Sequence, residues 1–507
     1  MAKCYSEQDY QLGISSSVEE PSLHISYEMI NHSLAEPIVV TPRSTKAIND
    51  DESERTSLLS TRSRGELSQS SPWASAGYSR VRSLTFSMNR SLIEKESPDR
   101  RASALLAGWN VTNLIQGMGI LGIPYAVREG GIAAAVCIFV VAIVCDVTGI
   151  LLVDCLYEIS PRSQKKKRIR SNYPEVGEAV WPGIGGKVVS VVQTIELYTA
   201  AMLYLILLTT MFSQITEKYI SLSMNVWAVL CAVAVLPSVF ITRLSLIAWM
   251  SMIAVLALMS SIAVTLAYCI LNYDRWSINN IPTFDGNTFP IGFGIVTFSY
   301  CAHAVFPGIE ASMKHPENYN KMMHTSFLVS ATVKTLFGAF AVLTFGLVTD
   351  QVVTVNLADS LAFNTAATAF VALNVFFSFP LPLFVVIETF DGLLLPHFPY
   401  VGRESNYHWV WLLITRTLLV TFALFISLIV PHFGLLMGFI GSFTGTCLSF
   451  CFPCIAHLKL KWKYLRWYQI LGELVLIVFG VVAGVFGFIY SGKALIDSFK
   501  QNPPSQT

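Results

Sequence analysis

Two stretches of apolar chain carry residues for which a plain membrane anchor has no use. The first runs Gly108-Trp109-Asn110-Val111-Thr112-Asn113-Leu114-Ile115-Gln116-Gly117-Met118-Gly119-Ile120-Leu121-Gly122-Ile123-Pro124-Tyr125. Glycines 117, 119 and 122 and Pro124 follow directly on three side-chain amides. Proline removes a backbone donor and clashes with the preceding turn, and glycine tolerates backbone that is not helical. The second stretch reads Gly292-Phe293-Gly294, then Ser299-Tyr300-Cys301-Ala302-His303, then Pro307-Gly308 and Glu310. Backbone groups freed at such points cannot face lipid, so they must line a cavity. Glycine for close helix packing is the alternative, but it leaves Asn110, Asn113 and Gln116 unexplained. A helix break is therefore predicted in each stretch. Half-helix N-termini carry partial positive charge and suit a carboxylate, and the C-termini offer carbonyls to an ammonium. A zwitterionic amino acid presents both groups, so the expected chemistry is binding and carriage. Asn113, Gly117, Met118 and Gly119 of the first stretch and Ser299 and Tyr300 of the second are the candidate substrate contacts.

Ionisable groups inside apolar runs are the second class of candidate, because burying them costs several kcal/mol or forces neutralisation. Asp146, Glu196, His303, Glu310, Lys334, Glu388, Arg416, His432 and Glu473 qualify. Glu310 and Glu388 lie toward helix ends and can pair with nearby Lys or Arg. Lys334 and Arg416 can cap, pair or reach the interface by snorkelling. Glu196 lies mid-run, and Gln193, Glu196 and Thr199 share one helix face. A carboxyl there is suited to carry a proton or to make a structural hydrogen bond. His303, just after the second break, and Asp146 are the other proton-coupling candidates. No metal site or cofactor is expected. Cys451 and Cys454 form a C-x-x-C at the end of an apolar run, where packing explains them better than redox or zinc chemistry. No phosphate loop, H-E-x-x-H or nucleophile elbow points to an enzyme.

The elements that must position these residues are membrane helices. The 507 residues are 53% hydrophobic and 13% charged, against about 25% charged in ordinary soluble domains. The net charge of +1 gives no field for nucleic acid. Apolar runs predict an all-α membrane domain over 102–491 with eleven spans, at 103–126, 131–157, 186–215, 224–241, 245–271, 288–312, 324–348, 360–390, 408–430, 433–457 and 465–490. The two broken stretches are then spans one and six, five apart, which points to an inverted-repeat transporter with a midplane site. Basic residues fall in alternate loops: 161–170 is Pro-Arg-Ser-Gln-Lys-Lys-Lys-Arg-Ile-Arg, and Arg243, Lys314, Lys321, Arg403, Lys459, Lys461, Lys463 and Arg466 follow. The positive-inside rule then puts the N-terminus in the cytosol and a short tail, 492–507, in the lumen.

A family resemblance rests on four blocks. G-W-N-V-T-N-L-I-Q-G-M-G-I-L-G-I-P-Y-A (108–126), I-E-L-Y (195–198), F-S-F-P-L-P-L-F-V-V-I-E (377–388) and V-P-H-F-G-L-L-M-G-F-I-G-S-F-T-G (430–445) resemble the amino acid/auxin permease family, in its vesicular inhibitory amino acid branch. The resemblance covers about 103–490. It implies a LeuT-like 5+5 inverted repeat with an eleventh helix, and proton-driven loading of GABA or glycine into synaptic or similar vesicles. A vacuolar, lysosomal or plasma-membrane carrier of neutral amino acids, coupled to protons or sodium, is the alternative. Span eight offers Asn364, Thr365, Thr368, Asn374 and Ser378 as oxygen donors, so sodium stays open. Asp146 and Cys301-Ala302-His303 depart from that branch.

Residues 1–101 are rich in Ser, Thr, Glu and Arg without a sustained apolar period, and a disordered cytosolic tail is expected. Within it, Glu54-Arg55-Thr56-Ser57-Leu58-Leu59 resembles an acidic dileucine signal read by clathrin adaptors. Glu54, Leu58 and Leu59 are thus sorting candidates that favour an internal membrane.

Overall fold

The computed structural model describes residues 102–501 apart from 160–165, 217–218, 221, 242–243, 279–280, 399, 401–404 and 406. The dileucine candidates Glu54, Leu58 and Leu59 lie outside the described residues. The described chain is almost wholly helical, with one two-stranded hairpin. Among the described residues, eight helices are long and apolar enough to cross a membrane, and two shorter apolar ones, Met224–Val239 and Phe289–Tyr300, coincide with expected spans four and six. The expected first span is divided. Ala104–Gln116 forms its first half, Met118–Gly122 is a 3-10 segment, and a helix restarts at Ile123 and continues to Asp154.

Local sequence explains each interruption. Gly117 leaves helical geometry at φ 16°, ψ −156°, and Pro124 opens the next helix where its missing N–H costs nothing. Gly131 separates spans one and two in the left-handed region at φ 64°. A side chain there would strike the Pro282 carbonyl, which instead accepts from the N–H of Ile132 at 3.1 Å. The sixth span ends its first helix at Tyr300, passes through extended backbone at Cys301, and restarts as Phe306–Ser312 with Pro307 in its first turn. Span eight, expected to be continuous, divides at Phe379 into Leu361–Ser378 and Pro380–Leu394. Pro380 and Pro382 lack the N–H groups that an unbroken helix would need. Span ten carries π-helical turns over Gly441–Gly445 and Cys447–Cys451. The last helix continues through Gln501, beyond the expected limit near 490.

Packing follows a repeat of five. Spans two and seven, three and eight, and four and nine pack on one another, as equivalent members of two related halves would. The first half of span one lies on span seven, and the corresponding half of span six lies on span two. Helix Trp467–Gln501 is the addition, seated on spans six and ten. Ile115, Ile120, Leu121, Ile295, Val296 and Phe337 are buried where these helices meet. Each such side chain contributes about 1.5–3 kcal/mol when taken out of water, although inside a bilayer close packing replaces part of that drive.

Candidate functional site

The two breaks touch. A Cβ added at Gly119 would lie 2.6 Å from Ser299 Cα, closer than any side chain tolerates. Gly119 thus lets the unwound part of span one approach the last turn of helix Phe289–Tyr300. The residues expected to bind substrate come together in part. Gly117 stands at the break of span one and Met118 and Gly119 open its 3-10 segment, with Asn113 one turn before, half-buried. Its carbonyl accepts from the Gly117 N–H at 3.0 Å, which closes the half-helix. Ser299 and Tyr300 follow on span six, but the Ser299 oxygens and the Tyr300 ring face are already engaged. Lys334 of span seven donates to the Ser299 carbonyl at 2.5 Å and to its hydroxyl oxygen at 3.0 Å, with Nζ 3.7 Å from the Tyr300 ring centre. The carbonyl end of span six, expected to receive a substrate ammonium, receives Lys334 instead. The sequence marks Lys334 only as a capping, pairing or snorkelling cation; the structure buries it completely.

Glu196 reaches the other side of the span-six break. Helix Gly185–Thr216 buries it against Cys301 and Thr444, and its Oε2 has no protein partner. Cys301 also bonds the Thr297 carbonyl at 3.4 Å and lies 3.5 Å from Ser449 Oγ. Thr444 and Ser449 belong to the π-helical stretch of span ten, a distortion that recurs at functional sites. The Gln116 Oε1, Thr297 Oγ1 and Tyr300 hydroxyl are likewise buried without a protein partner. Native interiors leave few such groups unsatisfied; these four stand near the breaks, and others, such as Gln214, Asn374, Arg416 and Ser491, lie elsewhere in the described chain.

His303 turns toward span two, and Asp146, on span two, turns toward span seven. His303 is buried, with Nε2 3.0 Å from Thr148 Oγ1. Asp146 bonds the half-exposed His324 of span seven. Neither pairs with Glu196 among the described contacts, so the three proton-coupling candidates do not form one cluster. The polar residues of span eight also serve packing. Asn374 donates to the Ala254 carbonyl of span five at 2.8 Å, and Thr368 bonds Asn364 at 3.0 Å.

The basic loop after span two folds back as a latch. Strands Tyr157–Ile159 (β1) and Lys166–Arg168 (β2) pair antiparallel, with Glu158 opposite Lys167. Arg168 Nη1 lies 2.9 Å from Glu310 Oε2, off the line of a hydrogen bond, and Nη2 donates to the Pro307 carbonyl at 2.8 Å. The Tyr157 hydroxyl also bonds Glu310. Lys461 of span ten holds the Tyr157 carbonyl at 2.8 Å and Asp154 at 3.3 Å, and His457 bonds Glu473 at 2.8 Å. The second half of span six is thereby fastened to spans two, ten and eleven on the side that carries the basic loops. Glu310 was legible as a group awaiting a cation. Which of the loop's basic residues would reach it was not.

These features belong to a carrier: paired broken helices, buried polar groups around them and a fastening on one side. The family model described as transmembrane amino acid transporter protein matches residues 100–496. The vesicular inhibitory amino acid transporter of Xenopus tropicalis is 33% identical, over 79% of this chain and 79% of that protein. The vesicular GABA transporter of Caenorhabditis elegans is 31% identical, over 78% of this chain and 80% of that one. The inward facing conformation of Mhp1 aligns at a TM-score of 0.48 and 13% identity, covering 80% of this chain and 93% of that chain. The relatives are transporters rather than enzymes. The chain is a multi-pass membrane protein and belongs to the transmembrane amino acid transporter family.

Proposed function

We propose that the chain loads small neutral amino acids, GABA or glycine among them, into the lumen of a vesicle or similar organelle in exchange for protons. The observation that carries this reading is Glu196, a buried carboxyl with one free oxygen beside the unwound Cys301. A carboxyl so placed can take a proton on one side of the transport cycle and release it on the other. The side bearing the basic loops is the cytosolic one in this reading. Each unit of pH difference supplies about 1.36 kcal/mol per proton. A potential of 100 mV adds about 2.3 kcal/mol per charge moved, so exchanging a proton for a neutral zwitterion draws on both. The names of the relatives from Xenopus tropicalis and Caenorhabditis elegans support the substrate class and the vesicular setting.

The test uses purified protein in sealed liposomes with labelled GABA and glycine. Wild type should accumulate substrate against its gradient when the lumen is acid. Glu196→Gln should lose that accumulation while substrate-for-substrate exchange without a pH gradient survives, because the amide keeps shape and hydrogen bonding. Gradient-driven uptake by Glu196→Gln at the wild-type level would remove Glu196 from the mechanism. Uptake driven by sodium and indifferent to pH would replace proton exchange with the sodium-coupled alternative.

A further inference from the structure

The first helix of span six ends in a cradle shaped for a cation. Its last turn offers the Ser299 carbonyl and hydroxyl to one point, and the face of the Tyr300 ring closes that point from another side. The partial negative charge of a helix C-terminus falls in the same place. Lys334 fills it from span seven, with 0% exposure. No ion pair joins Lys334 to a carboxylate among the described residues; the Ser299 oxygens and the Tyr300 ring are the contacts that meet it there. A buried ammonium without a counter-ion is costly unless its charge and donors are met. Two oxygens and a ring face meet this one. Methionine would fill a similar volume without that cost, so packing alone does not account for a lysine here.

We propose that Lys334 is a tethered cation that permanently occupies the cation place made by the span-six break, so that neither the substrate's amino group nor a coupling metal cation binds there. The amino group is then left to the carbonyl end of the other half-helix, at Gln116 and Gly117 of span one. This deepens the transport reading and rests on the two breaks forming the substrate site. Lys334 acts as a positioning residue: it holds the end of span six against span seven and sets the positive charge of that wall.

The test compares wild type with Lys334→Met and Lys334→Ala, each purified as the full chain. Thermal unfolding is measured in methylammonium, tetramethylammonium and sodium chlorides at equal ionic strength. The wild-type midpoint in each salt is the reference. Lys334→Ala should unfold at lower temperature and recover with methylammonium, but not with tetramethylammonium, which has no N–H and is too wide. In liposomes, Lys334→Met should transport roughly tenfold less or worse, from the loss of charge-assisted bonds to the helix end. Lys334→Ala should regain roughly fivefold of its lost uptake with methylammonium on the same footing. Wild-type uptake by Lys334→Met would overturn the proposal, because the residue would then be filler. Recovery of Lys334→Ala by tetramethylammonium as large as by methylammonium would overturn it too, since the place would then not recognise a primary ammonium. If Lys334→Ala does not fold, the uptake of Lys334→Met still decides. A wild type that carries no amino acid would refute the transport reading, while the salt response of Lys334→Ala unfolding would still report on the cradle.

Discussion

The Arg168–Glu310 latch offers the sharpest quantitative test. Arg168 keeps 18% side-chain exposure and Glu310 only 1%. In Arg168→Ala the Glu310 carboxylate stays buried with the Tyr157 hydroxyl as a remaining partner, and the Pro307 carbonyl loses its donor. Removing one member of a fully buried pair costs about 3–5 kcal/mol. Discounted for the exposure of Arg168, about 2–3 kcal/mol remains. The latch exists only while the second half of span six lies against the hairpin, so that cost falls on the closed arrangement. At about 1.4 kcal/mol per tenfold, opening should be favoured by roughly 30- to 150-fold. Glu310→Gln should do much less, because the amide still meets Tyr157 and the guanidinium it abandons is partly solvated. The double variant should be milder than Arg168→Ala alone. Hydrogen exchange of the backbone amides in 301–312, measured in lipid nanodiscs, reads the opening directly. Equal exchange in Arg168→Ala and wild type would refute the latch. An effect of Glu310→Gln as large as that of Arg168→Ala would show that the buried charge is not what holds it.

Three further outcomes are expected. Gly119→Ala should lower thermal stability and Gly119→Val should lower it further, by about 1–3 kcal/mol or more, since the new Cβ meets Ser299 backbone; Gly308→Ala, which meets nothing within 4 Å, should be neutral, and equal stability of all three in unfolding scans would separate the two breaks. Replacing Leu58 and Leu59 by Ala should move the protein toward the cell surface in imaging, and an unchanged distribution would make the dileucine match accidental. Epitope tags at the two ends should be reached from opposite sides in selectively permeabilised cells, and detection of both from one side would refute an odd number of spans.

The positions of the breaks were legible because glycine and proline have few other uses inside a membrane helix. Gly117, Pro124 and Pro307 stand at the points where helical geometry stops or restarts. The division of span eight at Phe379 was signalled equally by Pro380 and Pro382. The run through it, with Asn374 and Ser378 among its polar residues before the break, is long enough for one tilted helix, and length alone favours that reading. Glu196 was legible as a buried carboxyl, from its place mid-span. Its neighbours Cys301 and Thr444 were not, since they lie more than 100 residues away. Polar residues that satisfy other spans cannot be told from ligand-binding ones by composition. Asn374 gives its amide to Ala254 and Thr368 its hydroxyl to Asn364, while Asn374 Oδ1 stays buried without a protein partner, so the sodium alternative stays open.

Lys334 exposes the physical reason for the largest departure. From sequence, a lysine inside an apolar run has a cheap route to water along its own stem, and that route depends on which face of the helix it occupies. Here the face is fixed by long-range packing of span seven on the first half of span one and on span two, which closes every route and leaves Nζ at the Ser299 carbonyl. The half-helix argument then changes in kind. Two broken spans offer two carbonyl ends, and a zwitterion has one ammonium. On the proposal that a side chain of the protein permanently takes one end, the other end is left for the substrate's amine, and the asymmetry between the two repeats would follow from that single residue. A carrier whose repeats are related in backbone would then bind an asymmetric molecule in one orientation, because a tethered charge breaks the equivalence of its two sites.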